Sequence, residues 1–471
     1  MTTVTQTSPL IKHLFELLEA HRPLFKQQSV YLRVVALVLA ELFVFSRHTV
    51  TQLLMTLGLV EEDWSSWYRL FSGGRIDWGK MSRVVLAELL VHVKRESVLV
   101  VAGDATQTAR SGGKIEGVSW LRNLRTPRFR IGIHKAQRWF HLSVLLPPEG
   151  GYSRALPLRW LPAFTEKARR RVYAARKEWE AALESLRWLR EAMVALGRAG
   201  QQVLFVGDGN YDHLELWRRL PEGVILLARS AKNRVLYHLP EKHEGRGRPR
   251  KYGKRAPTPQ QVWGQRRGWQ RLTLLVRGRE RHLQFKVRGP FVRYGAPERP
   301  VWLIVVRGKD YRQGHRRTRR DPLPFLVSAV QNARGHWVLP LPLETLLFWA
   351  WQRWDIETAH REMKAGFGLG DKQCWNPHAA VASVQWSAWV YALLVLAGYR
   401  TWGLTGAPGV PTRWWRGSTR WSFNTLLRAF RAELWGQHDF SPLCSPFTGD
   451  WGKKEPFLLA LRNAVFASAR A

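Results

Sequence analysis

An α/β fold, with a layered core interrupted by a β-rich insertion and with N-terminal and C-terminal helical regions, follows from three features of the chain. Two short β-branched runs each end in Gly-Asp, at Gly103-Asp104 and Gly207-Asp208, and a long apolar-striped segment lies between them. Strand, helix and strand in that order imply a sheet buried under helices. Between Ser230 and Ala333 the rhythm lapses into strand-like pieces joined by basic loops. Helical patterning dominates before Lys94 and again after Leu343.

Residues 29–45 are apolar with few breaks. Thr49 can cap a helix whose stripe is Val50, Leu53, Leu54 and Leu57 and which Gly58 stops. Glu61, Glu62 and Asp63 open the next helix, with Trp64, Trp67, Tyr68 and Phe71 as its aromatic face. Helix, glycine-containing turn and helix suit a DNA-reading unit, and equally a small bundle that only packs. Residues 97–102 form the first strand, and 130–134 and 139–146 two more. Residues 165–196 read as one long helix with Leu183, Leu186, Leu189, Met193 and Leu196 as its stripe. Strands at 203–206 and 223–228 follow.

In the insertion, residues 271–276, 282–287 and 301–306 look like antiparallel strands of a separate subdomain, not a continuation of the layered core. Helices return at 343–365 and 379–398, and after Thr401 near 423–434 and 457–469. The expected division is therefore 1–94, an N-terminal helical DNA-binding region; 95–229, the first part of the core; and 230–335, the insertion with basic loops. The second part of the core, 336–400, and a C-terminal helical region, 401–471, complete it. No internal repeat is evident.

With 471 residues, 45% of them hydrophobic, the chain can bury a large core. Lys+Arg total 74 against 36 for Asp+Glu, a net charge of +38 spread along the whole length. A fold does not need that imbalance; a polyanionic partner offsets it. Membrane lipid is the rival partner, but the mean hydropathy is −0.28, and the apolar stretch at 379–398 is interrupted by Ser383, Gln385 and Ser387. It reads as a buried helix, and no membrane partner is expected. The opening residues lack the pattern of a secretory signal. Cys374 and Cys444 stand far apart, which excludes a disulfide framework and a zinc cluster and makes a reducing cytoplasm the expected compartment. Of the 25 Trp, most should pack and a minority remain free to stack on bases.

Arg353, Glu357 and Lys364 lie on one helical stretch, and offsets of four and eleven residues leave them within about 40° of one another. A carboxylate framed by two cations is suited to a metal beside a phosphate. Asp104 and Asp208 share one context, an apolar run followed by Gly-Asp. If their strands are parallel neighbours, the two carboxylates end side by side. Glu357 from a helix laid on the sheet would complete an oxygen triad for Mg²⁺ or Mn²⁺. Two ions about 4 Å apart would activate the attacking oxygen and stabilise the leaving one. Each piece has a plainer reading: a Gly-Asp turn, or a surface ion pair between Arg353 and Glu357. Asp355, Glu362 and Asp371 compete for the third place.

Together, Asp104 in GDAT, Asp208 in GDGNYD and Arg353-x3-Glu357-x6-Lys364 in WAWQRWDIETAHREMKAGFGLGD resemble the DDE transposases of bacterial insertion sequences. The match is to the group with a Tyr-x2-Arg-x3-Glu-x6-Lys signature, and it extends over roughly residues 49–373. Residues 137–145 and the stretch GYSRALPLR at 151–159 sit where that group has its second and third strands and the following loop. The tyrosine position is Ala350 here, between Trp349 and Trp351. The resemblance implies a ribonuclease H-like core interrupted by an insertion between the second aspartate and the glutamate. It implies Mg²⁺-dependent hydrolysis at the transposon 3′ end, followed by direct attack of the 3′-OH on target DNA. Asp104, Asp208 and Glu357 take the catalytic and metal-binding roles, and Arg353 and Lys364 contact DNA.

Arg246, Arg248, Arg250 and Lys251 belong to a Gly-Arg-Pro segment with the core of an AT-hook, slim enough for a narrow A·T-rich minor groove. A solvated basic loop is its plainer reading. Arg312, Arg316, Arg317, Arg319 and Arg320 form a second cluster that can track phosphates. No Walker motif, dinucleotide fingerprint, HExxH or nucleophile elbow appears, so no organic cofactor is expected. The expected function is cut-and-paste transposition in the bacterial cytoplasm, associated with the nucleoid. Its partner is double-stranded DNA, both transposon ends and target, and a homodimer on DNA would pair the ends, with 421–435 as a candidate contact. The alternatives are a metal-dependent nuclease of the same fold without strand transfer and a non-catalytic DNA-binding regulator.

Overall fold

The structure is a computed structural model. It describes residues 8–123, 126, 132–241, 249–308, 311–313, 316–318, 321–409 and 419–435. The N-terminal stripes fold as α1 (Pro9–His21), α2 (Gln28–Phe43), α3 (Val50–Thr56), α4 (Ser65–Ser72) and α5 (Trp78–Leu90). Thr49 caps α3, its hydroxyl accepting the Gln52 N–H at 3.2 Å. Trp67, Leu70 and Phe71 of α4 are buried, whereas Tyr68 stays exposed.

The layered core comprises β1 (Leu99–Ala109), β2 (Ser119–Arg122), β3 (Ile133–Leu145), β4 (Ala155–Pro162), α6 (Glu178–Ala195), β5 (Val203–Gly207), α7 (Leu214–Arg218) and β6 (Val224–Arg229). β1, β5 and β6 run parallel, and β3 lies antiparallel on the other side of β1. Two expectations are corrected here. β1 does not stop before Asp104 but continues to Ala109, because Thr106 and Thr108 keep pairing with β3. The helix expected from residue 165 begins only at Glu178. Upstream, the backbone wraps the buried Glu116 carboxylate, which accepts the N–H groups of Arg171, Val172 and Tyr173 at 2.9–3.0 Å. Donors committed to a side chain cannot also close a helical turn.

The insertion contains β7 (Tyr237–His238), α8 (Pro259–Gly264), β8 (Gln270–Val276), β9 (Arg279–Arg293), β10 (Ala296–Val306), β11 (Tyr311–Gln313), β12 (Arg316–Thr318), β13 (Leu323–Ser328), β14 (Val330–Gln331) and β15 (Trp337–Val338). β8, β9 and β10 are antiparallel as expected. They are not set apart from the core, however. β13 pairs with both β10 and β6, so one 11-stranded sheet runs through core and insertion in the order β2-β3-β1-β5-β6-β13-β10-β9-β7, with β4 also paired to β3 and β8 to β9. Without β13 the buried strand β6 would be an open edge, and covering that edge explains the continuity.

The chain then forms α9 (Leu343–Gln352), α10 (Trp354–Gly366), α11 (Pro377–Trp402) and α12 (Phe423–Trp435). The single helix expected at 343–365 is two helices meeting at Arg353. α11 is apolar all round, as a central core helix must be. It is long and apolar enough to cross a membrane, yet 94% of its apolar window is buried inside the protein. It packs on α1, α4, α5, α12 and β4. The apolar side of α12 (Phe423, Leu426, Phe430 and Leu434) is spent against α1, α2 and α11. The side of 421–435 best suited to a dimer contact is thus used within the chain. The helix expected at 457–469 lies outside the described residues.

Candidate active site

β1 and β5 pair in parallel from Leu99↔Val203 to Ala102↔Val206, so Asp104 and Asp208 each stand two residues beyond the last rung. Neighbouring strands lie about 4.8 Å apart, which brings the two aspartates to one place on the sheet. The glycine before each is a packing requirement. A Cβ at Gly103 would stand 2.5 Å from the Phe205 ring, and one at Gly207 would stand 2.6 Å from Tyr211 Cβ. Asp208 turns the chain after β5, its carboxylate accepting the Asn210 N–H at 2.9 Å. Asp104 accepts the neighbouring Ala105 N–H at 2.8 Å.

α10 crosses β1 and delivers the third group. At the α9–α10 junction Arg353 donates to Glu357 at 2.6 Å and comes within 3.9 Å of Asp104. Lys364, two turns further on, donates to Thr106 Oγ1 at 2.6 Å. Burial pushes the Asp104 carboxyl up to about 7; Arg353 opposes this, while the charges of Asp208 and Glu357 add to it. Such a rise marks a carboxyl taken out of water without enough counter-charge. The three competitors are engaged elsewhere. Asp355 pairs with Arg277 at 2.8 Å, Glu362 accepts from Arg154 and Tyr391, and Asp371 accepts the His48 N–H at 3.0 Å.

Several residues escaped the sequence reading. His360 lies on the same α10 face, seven residues from Arg353, so the periodicity that grouped the charges contained it. Its Nδ1 is 4.0 Å from Asp104, and its Nε2 shares a hydrogen bond of 2.8 Å with His141, whose other nitrogen meets Ser143. Burial, with Lys364 and Arg353 nearby, holds the His360 imidazole down to about 3, hence neutral. Asp212, four residues after Asp208, is fully buried. It binds Arg234 and Arg293 at 2.7 and 2.8 Å, Trp217 and Ser230, and so ties insertion to core. Nothing local in the sequence marked it.

Residues 24–283, more than half of the chain, match the family described as DDE superfamily endonuclease. The chain belongs to that family. A search among curated proteins finds no match. As a DDE superfamily endonuclease the protein is a phosphoryl-transfer enzyme of the nuclease type, and its mixed sheet with flanking helices is consistent with a ribonuclease H-like nuclease. The matched span holds Asp104 and Asp208 and ends before Glu357, whose assignment rests on the helix geometry.

DDE superfamily nucleases typically use divalent metal ions. In this endonuclease the donor chemistry fits a hard cation, being carboxylate oxygens, and burial first, with the charges of Asp208 and Glu357 adding to it, lifts Asp104 to about 7. Among the described residues no three His, Cys, Asp or Glu side chains stand at ligand spacing. The Arg353 guanidinium draws Glu357 to itself and faces Asp104, supplying cationic charge there. Beside Lys364 opens a cavity of about 560 Å³, lined by Thr106, Arg110, Asn123 and Gln373 among others; Arg353 and the three carboxylates do not line it. Of the basic loop, Arg250 and Lys251 are exposed, while Arg246 and Arg248 lie outside the described residues. The side chains of Arg312, Arg316 and Arg317, and Arg319 and Arg320 altogether, also lie outside them.

Proposed function

We propose that this endonuclease is a DNA transposase of the bacterial insertion-sequence group with the Tyr-Arg-Glu-Lys signature, cutting and then joining DNA strands at terminal inverted repeats. The observation that carries the reading is the parallel, in-register pairing of β1 and β5, which puts Asp104 and Asp208 together under the helix bearing Glu357. The three carboxylates would hold Mg²⁺ (or Mn²⁺), which when bound lowers the pKa of the attacking oxygen and shields the leaving one. Arg353 guards Glu357 until its guanidinium turns to a DNA phosphate, for which its planar fork is suited. Lys364, seated on Thr106, holds a phosphate beside the scissile bond. The neutral His360 buttresses Asp104 without adding charge. A homodimer assembled on DNA would pair the two ends, and the basic loop with Arg248 would grip an A·T-rich minor groove.

Supplying pre-cut ends with a free 3′-OH tests the reading. Mg²⁺-dependent joining to target DNA is expected. Cutting without joining would leave a nuclease of the same fold, and neither activity on the element's own ends would leave a DNA-binding regulator.

A further inference from the structure

Burying a tryptophan is among the largest apolar gains open to a fold, yet Trp120 and Trp375 remain 62% and 64% exposed. Each has a lysine ammonium near its ring: Lys135 at 5.3 Å from the Trp120 centroid and Lys114 at 5.7 Å from that of Trp375. The pairs adjoin one another across a glycine turn. A Cβ at Gly112 would meet Trp375 Nε1 at 3.6 Å, and one at Gly113 would meet Lys135 Nζ at 3.8 Å. This surface is braced from below. Arg110 donates to the carbonyls of Gly370 and Lys372, each at 2.8 Å, and Ser111 donates to Gln373.

Its position relative to the carboxylates follows from strand register. Asp104 pairs with His141, Thr106 with Trp139 and Thr108 with Gln137; two residues further along β3, Lys135 pairs with Trp120. Side chains alternate, so Asp104 and Trp120 share one sheet face, six residues or about 20 Å apart along β3. That is about six nucleotides at stacked spacing. The cavity beside Lys364 is lined by Thr106 and Thr108 of β1 and by Ser111, Asn123 and Gln373, whose side chains offer hydrogen-bonding groups.

We propose that Trp120 and Trp375 form a stacking platform for an unpaired DNA strand running from the candidate active site, with Lys114 and Lys135 on its phosphates. Duplex DNA needs only the cations, since its bases are already stacked; exposed indoles beside ammonium groups suit bases that have lost their partners. The inference rests on the proposed function, because it assumes that the carboxylates act on DNA.

The test is binding of labelled oligonucleotides to the full chain in chelator, where no cutting occurs. The native chain should bind a duplex with a single-stranded extension more tightly than the blunt duplex. Trp120→Ala and Trp375→Ala should each lower affinity for the extended DNA by roughly 5- to 150-fold, the worth of one stacked base. Blunt-duplex affinity should stay within about twofold, and Trp120→Phe and Trp375→Phe should keep most of the preference. Equal losses on both DNAs, or none, overturn the platform and leave strand joining at pre-cut ends untouched. Failure to bind any DNA would remove the proposed function with it.

Discussion

Glu41 of α2 and Asp104 of β1 are both carboxylates taken out of water, and the protein treats them in opposite ways. Glu41 accepts from Lys372 and Trp386, each at 2.8 Å, and from His48 at 2.5 Å. Burial alone would raise its pKa, but Lys372 and His48 outweigh it and hold the group down to about 2. Asp104 has one backbone N–H and a distant guanidinium, and two more carboxylates add to its charge. The first set closes on itself, joining the N-terminal helices to the segment after α10 and to α11. The second is left short of positive charge where the sheet opens to solvent. Burial alone does not decide how a carboxyl titrates; the count of its partners does.

The largest expected effect breaks the comparison at Asp104. Asp104→Asn should lower Mg²⁺-dependent cleavage by roughly 10²–10⁴-fold, the several kcal/mol that a metal-held oxygen supplies. Thermal stability should stay the same or rise by roughly 1 kcal/mol, since a repulsive charge is gone. A variant that cuts at the native rate would take Asp104 out of the ligand set. Glu41→Gln should do the reverse. It leaves the Lys372 ammonium buried without its counter-ion, and urea unfolding should show a loss of about 3–5 kcal/mol. Native stability in that variant would mean the buried cluster contributes nothing.

Titration sharpens the same contrast in metal-free protein. The folded pKa of Glu41 is depressed, so its stabilisation is present above the ordinary value of 4.5 and lost as pH falls toward about 2. Asp104 is raised from 3.8 to about 7, so the folded chain holds a proton that the unfolded chain has released. Stability therefore falls as pH climbs between those values, by up to about 1.4 kcal/mol per pH unit. Thermal midpoints followed from pH 3 to 8 should lose the acid limb in Glu41→Gln and the neutral limb in Asp104→Asn. Parallel curves for all three proteins would mean that neither group titrates as its surroundings dictate.

The candidate carboxylates could be singled out because their signals are local: an apolar run and Gly-Asp for each aspartate, one helical face for Glu357. The pairing of β1 with β5 was legible only as a condition, since register between distant strands has no local mark. What the sequence hid depends on partners far along the chain. Glu116 captures the N–H groups of Arg171, Val172 and Tyr173, some 55 residues away, within the segment expected to be helical. β13 is a short apolar run whose role exists only because β6 needs a neighbour. Asp212 reads as one more turn aspartate until Arg234 and Arg293 are folded onto it.

A smaller effect tests how the insertion reaches the helix that bears Glu357. Arg277 forms the β8–β9 turn with φ 55°, a conformation that costs a side-chain-bearing residue about 1–2 kcal/mol. Its N–H donates to Gly151 O at 2.6 Å, and its guanidinium binds Asp355, which sits between Arg353 and Glu357 on the first turn of α10. Burial pushes Asp355 up to about 6, against the pull of Arg277. Arg277→Gly removes the ion pair while giving the turn the residue its backbone favours. A residue that served only the turn would be replaced without loss. A residue that positions Glu357 would leave the thermal midpoint and DNA affinity nearly unchanged while the cleavage rate fell by about 10-fold, the lower end for groups that orient a ligand. Arg277→Lys, which keeps the charge, should recover part of that rate; equal rates for the Gly, Lys and native proteins would confine Arg277 to the turn.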